Sequence, residues 1–352
     1  MISKIQQLGR GQRALIFFSV FIGGLMLLVA ITIFLISLSI NSSPRLVAVG
    51  VGEGVTVREF ASLPDDDSYP STVAVGIDGT VYTGSYRSGA VWAISPEGNV
   101  REMTDTRVVI ASVSSIEVAD DGTLYILDRT DPNPAAKGGT IWQILPNSVP
   151  KQFATIYDGE EGFIAPHDLA LADDGILYVT DRGRREIWTI DSEGNGEFWW
   201  RVPANDSQSG TALPTSIDYD SSTDTLVIVA TNNNVDIVYR VSRDGEMTET
   251  LYRFNGVLAD APGFDGVSVS QDGRIFLANF SQSAVSQLNQ NNYSILAQGF
   301  RGASAIAYFD GKLYVNNFDQ VGMVNPLVQP RLPFAIDEVT LSSPAPTATE
   351  SE

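Results

Sequence analysis

The sequence predicts an all-β protein, a six-bladed β-propeller of four-stranded antiparallel blades preceded by one N-terminal transmembrane helix. Three observations carry that expectation. First, an Asp-Gly turn between two short alternating apolar segments recurs at Asp78-Gly79, Asp121-Gly122, Asp174-Gly175, Asp272-Gly273 and Asp310-Gly311, with Ser222-Thr223-Asp224 in the remaining slot. Alternation of period two marks strands buried on one face, and Asp-Gly between two of them is a strong hairpin signal. Second, the turns lie roughly 40–50 residues apart, the repeat length of propeller blades. Third, the third strand of four copies carries one aromatic at one place, Val91-Trp92-Ala93-Ile94, Ile141-Trp142-Gln143-Ile144, Ile187-Trp188-Thr189-Ile190 and Val238-Tyr239-Arg240-Val241, as inter-blade packing requires. One such sheet is too small to bury its own faces, so six pack radially around a channel.

Residues 1–13 hold Lys4, Arg10 and Arg13 and no acidic residue, and residues 14–40 carry no charge at all. Roughly 20 apolar residues cross a bilayer, so 14–40 read as an uncleaved signal anchor. The basic residues in front of it place the N-terminus in the cytoplasm and the propeller outside it. Residues 41–54 are a linker and 55–330 the propeller, with blades starting near 71, 114, 167, 215, 265 and 303. Residues 55–60 look like the outer strand of a blade with no blade before it. The last repeat has strands at 305–308, 312–315 and 321–324 and then breaks at Pro326 and Pro330. The N-terminal segment is therefore expected to close the last blade and remove an exposed sheet edge. Residues 331–352 form a C-terminal extension and tail, whose Pro-, Ser-, Thr- and Glu-rich end predicts disorder. Triplets at Asn41, Asn205, Asn279 and Asn292 fit a glycosylation sequon.

The chain has no cysteine, so thiolate chemistry and disulfides are absent, and its net charge of −20 disfavours nucleic acid. Counting back from each turn to the entry of the first strand gives Ser71, Ser114, His167, Thr215 (allowing one inserted residue), Asp265 and Ala303. Counting forward to the end of the second strand gives Ser85, Asp128, Asp181, Ala230, Asn279 and Asn317. Both rings are mostly polar and are expected to line the channel. Converging oxygens of this kind suit a hard cation, Ca²⁺ first among them. His167 is the only histidine, so any His-dependent proton transfer falls to it, with Asp168 beside it but facing the other side of the strand.

These residues resemble the six-bladed propellers of the gluconolactonase and senescence-marker group, relatives of the strictosidine synthase-like and NHL-repeat propellers, over about residues 55–330. Phe264-Asp265-Gly266-Val267 followed by Gln271-Asp272-Gly273-Arg274-Ile275 is similar to the family's Pro-Asp-Gly phrase, whose Asp binds metal, and the resemblance carries that role to Asp265. His167-Asp168 stands where the family has a pocket-lining Asn-Asp pair, Thr215 where it has a metal-binding Asn, and Pro70-Ser71 where it has a ligating Glu. The N-terminal anchor also resembles the membrane-bound strictosidine synthase-like proteins. Two functions remain open: a tethered propeller that binds a small molecule, glycan or protein at its channel mouth, through a divalent cation or without one, and a metal-dependent lactonase or esterase-like hydrolase using Asp265, His167 and Asp168.

Overall fold

A computed structural model describes residues 9–41, 45, 47–133, 135–154, 162–204, 209–232, 235–325 and 327–341. The N-terminal basic segment 1–8, the tail 342–352 and the sequon at Asn205 lie outside these residues. Two compact units result, one made of residues up to 45 with Val321–Pro330 and the other of the remainder. In the first, helix α1 (Arg10–Asn41) contains, within Arg10–Ser39, an 18-residue stretch with a mean hydropathy of 2.7. Its last turn holds the 321–330 segment: Ser37 Oγ and Asn41 Nδ2 donate to the Leu327 carbonyl at 2.9 and 3.1 Å.

The second unit is a six-bladed propeller. Blade 1 comprises Ala74–Val75, Val81–Gly84, Val91–Ile94 and Val100–Glu102; blade 2, Val113–Val118, Leu124–Asp128, Thr140–Ile144 and Lys151–Ala154. Blade 3 comprises Pro166–Leu171, Leu177–Asp181, Glu186–Ile190 and Gly196–Arg201; blade 4, Leu213–Asp220, Thr225–Asn232, Val235–Ser242 and Thr248–Arg253. Blade 5 comprises Phe264–Val269, Ile275–Asn279, Ala284–Asn289 and Asn292–Gln298, with Val49–Gly50 added outside as a fifth strand. The turn glycines explain the repeat phrase: Gly79 and Gly175 have φ of 78° and 83°, where a side chain would be strained. The aromatics of the third strands sit between blades, Trp188 against Leu127 and Ile141 of blade 2, and Tyr239 edge-on to Trp200 of blade 3 at 5.6 Å.

Blade 6 consists of Ile306–Phe309, Lys312–Asn316 and Ala335–Thr340, with Thr56–Ser62 paired antiparallel to Ala335–Thr340 as its outer strand. This corrects the sequence reading in one respect. The third strand is not 321–324, which form the short helix Gln320–Val324, and the propeller does not end at 330. The segment from 317 to 334 is an insertion that the chain crosses before re-entering the sheet at Ala335. Asn279, one of the four sequon asparagines, is fully buried in the fold.

The inner strands touch in the order 1-2-3-4-5-6-1 and are stitched by side chains that bond the next blade's backbone. Ser71 Oγ donates to Val113 O at 2.6 Å, Ser114 Oγ to His167 O at 2.5 Å, and His167 Nδ1 to Thr215 O at 2.8 Å. Val267 N then donates to Ser216 Oγ, Tyr308 N to Ser268 Oγ, and Ser304 Oγ to Ser71 O, completing the circuit. His167 thus does the job that a serine does in blades 1 and 2.

Candidate functional site

In blades 2 to 5 the pairing of the first two strands slips by one residue at the strand entry, between Val113 and Ser115, Pro166 and Asp168, Pro214 and Ser216, and Phe264 and Gly266. The skipped residues are Ser114, His167, Thr215 and Asp265. A bulge residue is released from the ladder and re-aimed, which is how blades 2, 3 and 5 present Ser114, His167 and Asp265 at one end of the channel. A cavity of about 680 Å³ opens there, and Ser71, Ser114, His167, Asp265 and Ser304 form its floor. Thr215 is bulged but fully buried, its hydroxyl taken by Leu213 O and Thr231 Oγ1, each at 3.0 Å. Blade 6 contributes Ser304, whereas Ala303 is buried in the apolar core.

The second expected ring does not line this cavity. Ser85, Asp128, Asp181, Asn279 and Asn317 are at most 3% exposed and serve loops. Asp128 accepts from Ser112 N and Thr130 N at 3.0 and 2.8 Å, Asp181 from Ile164 N and Ala165 N at 2.8 and 2.9 Å, and Asn317 from Arg301 N at 2.9 Å. Ala230, apolar, is buried beside them. The cavity wall is built by the residue that follows each of the six: Tyr86, Arg129, Arg182, Thr231, Phe280 and Phe318. A shift of one residue along a strand end turns the side chain to the other side, and the sequence count stopped one residue short.

At the floor His167 Nε2 stands 3.9 Å from Asp265 Oδ1. Because Nδ1 donates to the Thr215 carbonyl, the proton sits on Nδ1 and Nε2 offers a lone pair to the cavity. Burial pushes the imidazole down to about 3, helped by the nearby Arg182 and Arg129, so His167 is neutral at physiological pH. Burial likewise pushes Asp265 up to about 6, Arg182 opposing and Asp168 and Asp236 assisting. Gly266 beside it leaves no opening for a ligand: a Cβ there would lie 2.7 Å from the Ser304 carbonyl. Glycine is needed for close packing of blade 5 on blade 6.

Asp168 does not join His167. Its Oδ1 accepts from Ser115 Oγ at 2.7 Å and its Oδ2 from Ser216 Oγ at 2.5 Å, tying three blades together. It faces the narrower channel of about 210 Å³, which also holds Glu117 and Asp218, two carboxylates that the repeat counting did not single out. Burial raises all three, Asp218 to about 7.

The donors do not fit a divalent cation. Ca²⁺ takes six to eight oxygens, yet Thr215 is fully buried, its hydroxyl held by Leu213 O and Thr231 Oγ1, and does not line the cavity. Among the described residues no three His, Asp or Glu side chains converge as ligands. The expectation of Asp265 and Thr215 as ligands therefore lacks partners in this geometry.

No family model matches the chain, and no curated protein matches its sequence. Solved structures do. A gluconolactonase from Xanthomonas campestris superposes with a TM-score of 0.59 at 13% identity over 86% of this chain and 99% of that one. A catalytically inactive virginiamycin B lyase from Staphylococcus aureus with quinupristin gives 0.56 at 15% identity over 82% and 100%. A PQQ-bound aldose sugar dehydrogenase from Streptomyces coelicolor gives 0.58 at 12% identity over 85% and 99%. Three unlike activities share the scaffold, so the likeness speaks to architecture and leaves chemistry to the site. The chain has the fold of the gluconolactonase-like and streptogramin lyase-like six-bladed propellers.

Proposed function

We propose that this protein is a membrane-tethered, extracytoplasmic binding propeller whose ligand, a small molecule, occupies the mouth cavity. The observation that carries this reading is the convergence of one floor residue and one wall residue from nearly every blade on a cavity within the 300–1,000 Å³ range of small-molecule sites. Polar groups at the floor and aromatic groups on the wall are what such a site needs. Hydrolysis of the gluconolactonase type is the weaker reading. A general base works best with a pKa near the working pH, and an imidazole pushed down to about 3 accepts hydrogen bonds but abstracts protons poorly. The cation that would polarise a lactone carbonyl lacks its ligand set.

Screening a fragment library by thermal shift should yield compounds whose stabilisation disappears in Thr231→Trp, which fills the mouth. Hits indifferent to that change would overturn the assignment. In the same assay Ca²⁺, Mg²⁺, Mn²⁺ and Zn²⁺ should affect wild type and Asp265→Asn alike; an ion whose effect vanishes in the variant would restore the metal-dependent reading.

The tether rests on α1, long and apolar enough to span a bilayer, and its orientation on the basic residues that precede it. Protease added to intact cells or spheroplasts should remove the propeller. Full protection would place it on the cytoplasmic side.

A further inference from the structure

The wall of the mouth is sorted by chemistry around the ring. Blades 2 and 3 supply Arg129 and Arg182, and blades 5, 6 and 1 supply Phe280, Phe318 and Tyr86. All five occupy one equivalent position, the first residue after the second strand's terminal cap, so no difference in packing need explains the sorting. In a ring of six, blade 2 faces blade 5 and blade 3 faces blade 6. The cavity therefore has a cationic side opposite an aromatic side.

Two guanidiniums at one rim also run against the character of a chain with net charge −20. Arg129 is only 6% exposed, with Nη2 held on the Ala136 carbonyl at 3.1 Å. Arg182 makes no ion pair or hydrogen bond through its side chain among the described residues, although Asp265 is close enough to feel its field. The other carboxylate of the cavity, Asp236, is spent on Gly263 N and Phe264 N at 3.3 and 2.8 Å. Across the ring, Tyr86 and Phe318 meet edge to face at 5.7 Å, a preformed apolar surface.

We propose that the mouth selects a small organic acid, its carboxylate held by Arg129 and Arg182 and its aromatic or apolar body lying against Phe280, Phe318 and Tyr86. The guanidinium fork matches a carboxylate in two parallel hydrogen bonds, and aromatic walls favour a planar body. This inference rests on the reading of the mouth as a ligand site and adds its chemical class.

Isothermal titration of the full chain in detergent with phenylacetate and 3-phenylpropionate, their primary amides, acetate, phenyl phosphate and inorganic phosphate tests this. The two aryl acids should bind at least about ten-fold more tightly than their amides. Arg182→Met should remove that preference and Arg182→Lys should keep part of it, with both variants folded because Arg182 is only half-buried. Acids and amides binding alike, with Arg182→Met silent, would overturn the acid assignment and leave the binding site standing. Binding of the phosphates but not the carboxylates would overturn the carboxylate assignment. No binding by any of these compounds would overturn the organic-acid assignment, and the fragment screen with Thr231→Trp decides separately whether the mouth is a ligand site.

Discussion

Deleting residues 42–62 while keeping the anchor should abolish cooperative unfolding of the propeller, whereas deleting 342–352 should leave its Tm within about 1 °C. The strand Thr56–Ser62 supplies a full edge of backbone hydrogen bonds to Ala335–Thr340, each worth ~1 kcal/mol net. It also buries Phe60, Ala61 and, just beyond, Leu63, at 6, 5 and 3% exposure, with Phe60 edge-on to Tyr314 at 5.0 Å. Phe60→Ala alone should cost about 3–5 kcal/mol. Arg58 adds a paired contact to Glu338 at 2.7 and 2.9 Å. Together these losses rival the ~5–15 kcal/mol by which a domain is stable at all. Circular dichroism melts of the two deletions decide the matter, and equal Tm values would show that the strand is an ornament of the ring.

The second large effect is expected inside the channel, from Asp218→Asn. Burial pushes Asp218 up to about 7, with Asp168 adding to the shift and the amides of Val269 and Tyr219 opposing it. A carboxyl raised from 3.8 in the unfolded chain binds its proton more tightly when folded, so its contribution is full below pH ~4 and is lost as pH climbs through 7. The amide keeps the acceptor for Val269 N, which lies 2.6 Å from Oδ2, and never ionises. Wild type and variant should therefore melt together at pH 4 and diverge by ~2–4 kcal/mol at pH 8, the variant being the more stable. A difference that is constant with pH would mean that Asp218 is ionised throughout.

The repeat phrase made the propeller legible because five blades share Asp-Gly at the inner hairpin and four share an aromatic between sheets. Asp265 and His167 could be found by counting since the bulge in blades 2, 3 and 5 sits at the same distance before the turn. What counting missed was lateral. Whether a strand-end side chain enters the cavity or clamps a loop depends on one residue of phase, and polarity misled, because the buried caps Asp128 and Asp181 look more functional in sequence than Tyr86 or Phe318. The third strand of blade 6 was hidden by the insertion at 317–334, whose helix carries the apolar alternation that the strand at Ala335–Thr340 was expected to show. Asp168 looked chemical beside His167; only the Ser115 and Ser216 hydroxyls, far away in the chain, show it to be a clamp.

The joining of Thr56–Ser62 to Ala335–Thr340 sets a clock on biosynthesis. Arg58 and its partner Glu338 are 280 residues apart, so at ~5–20 residues per second the strand Thr56–Ser62 waits roughly 14–56 s for its partner. Blades 1 to 5 can assemble in that interval, each from contiguous chain, but the circle stays open and the edge of the sixth sheet stays bare until Ala335–Thr340 has been made. A nascent chain that stops short of residue 335 thus has five finished blades and one unsatisfied strand, a substrate for quality control.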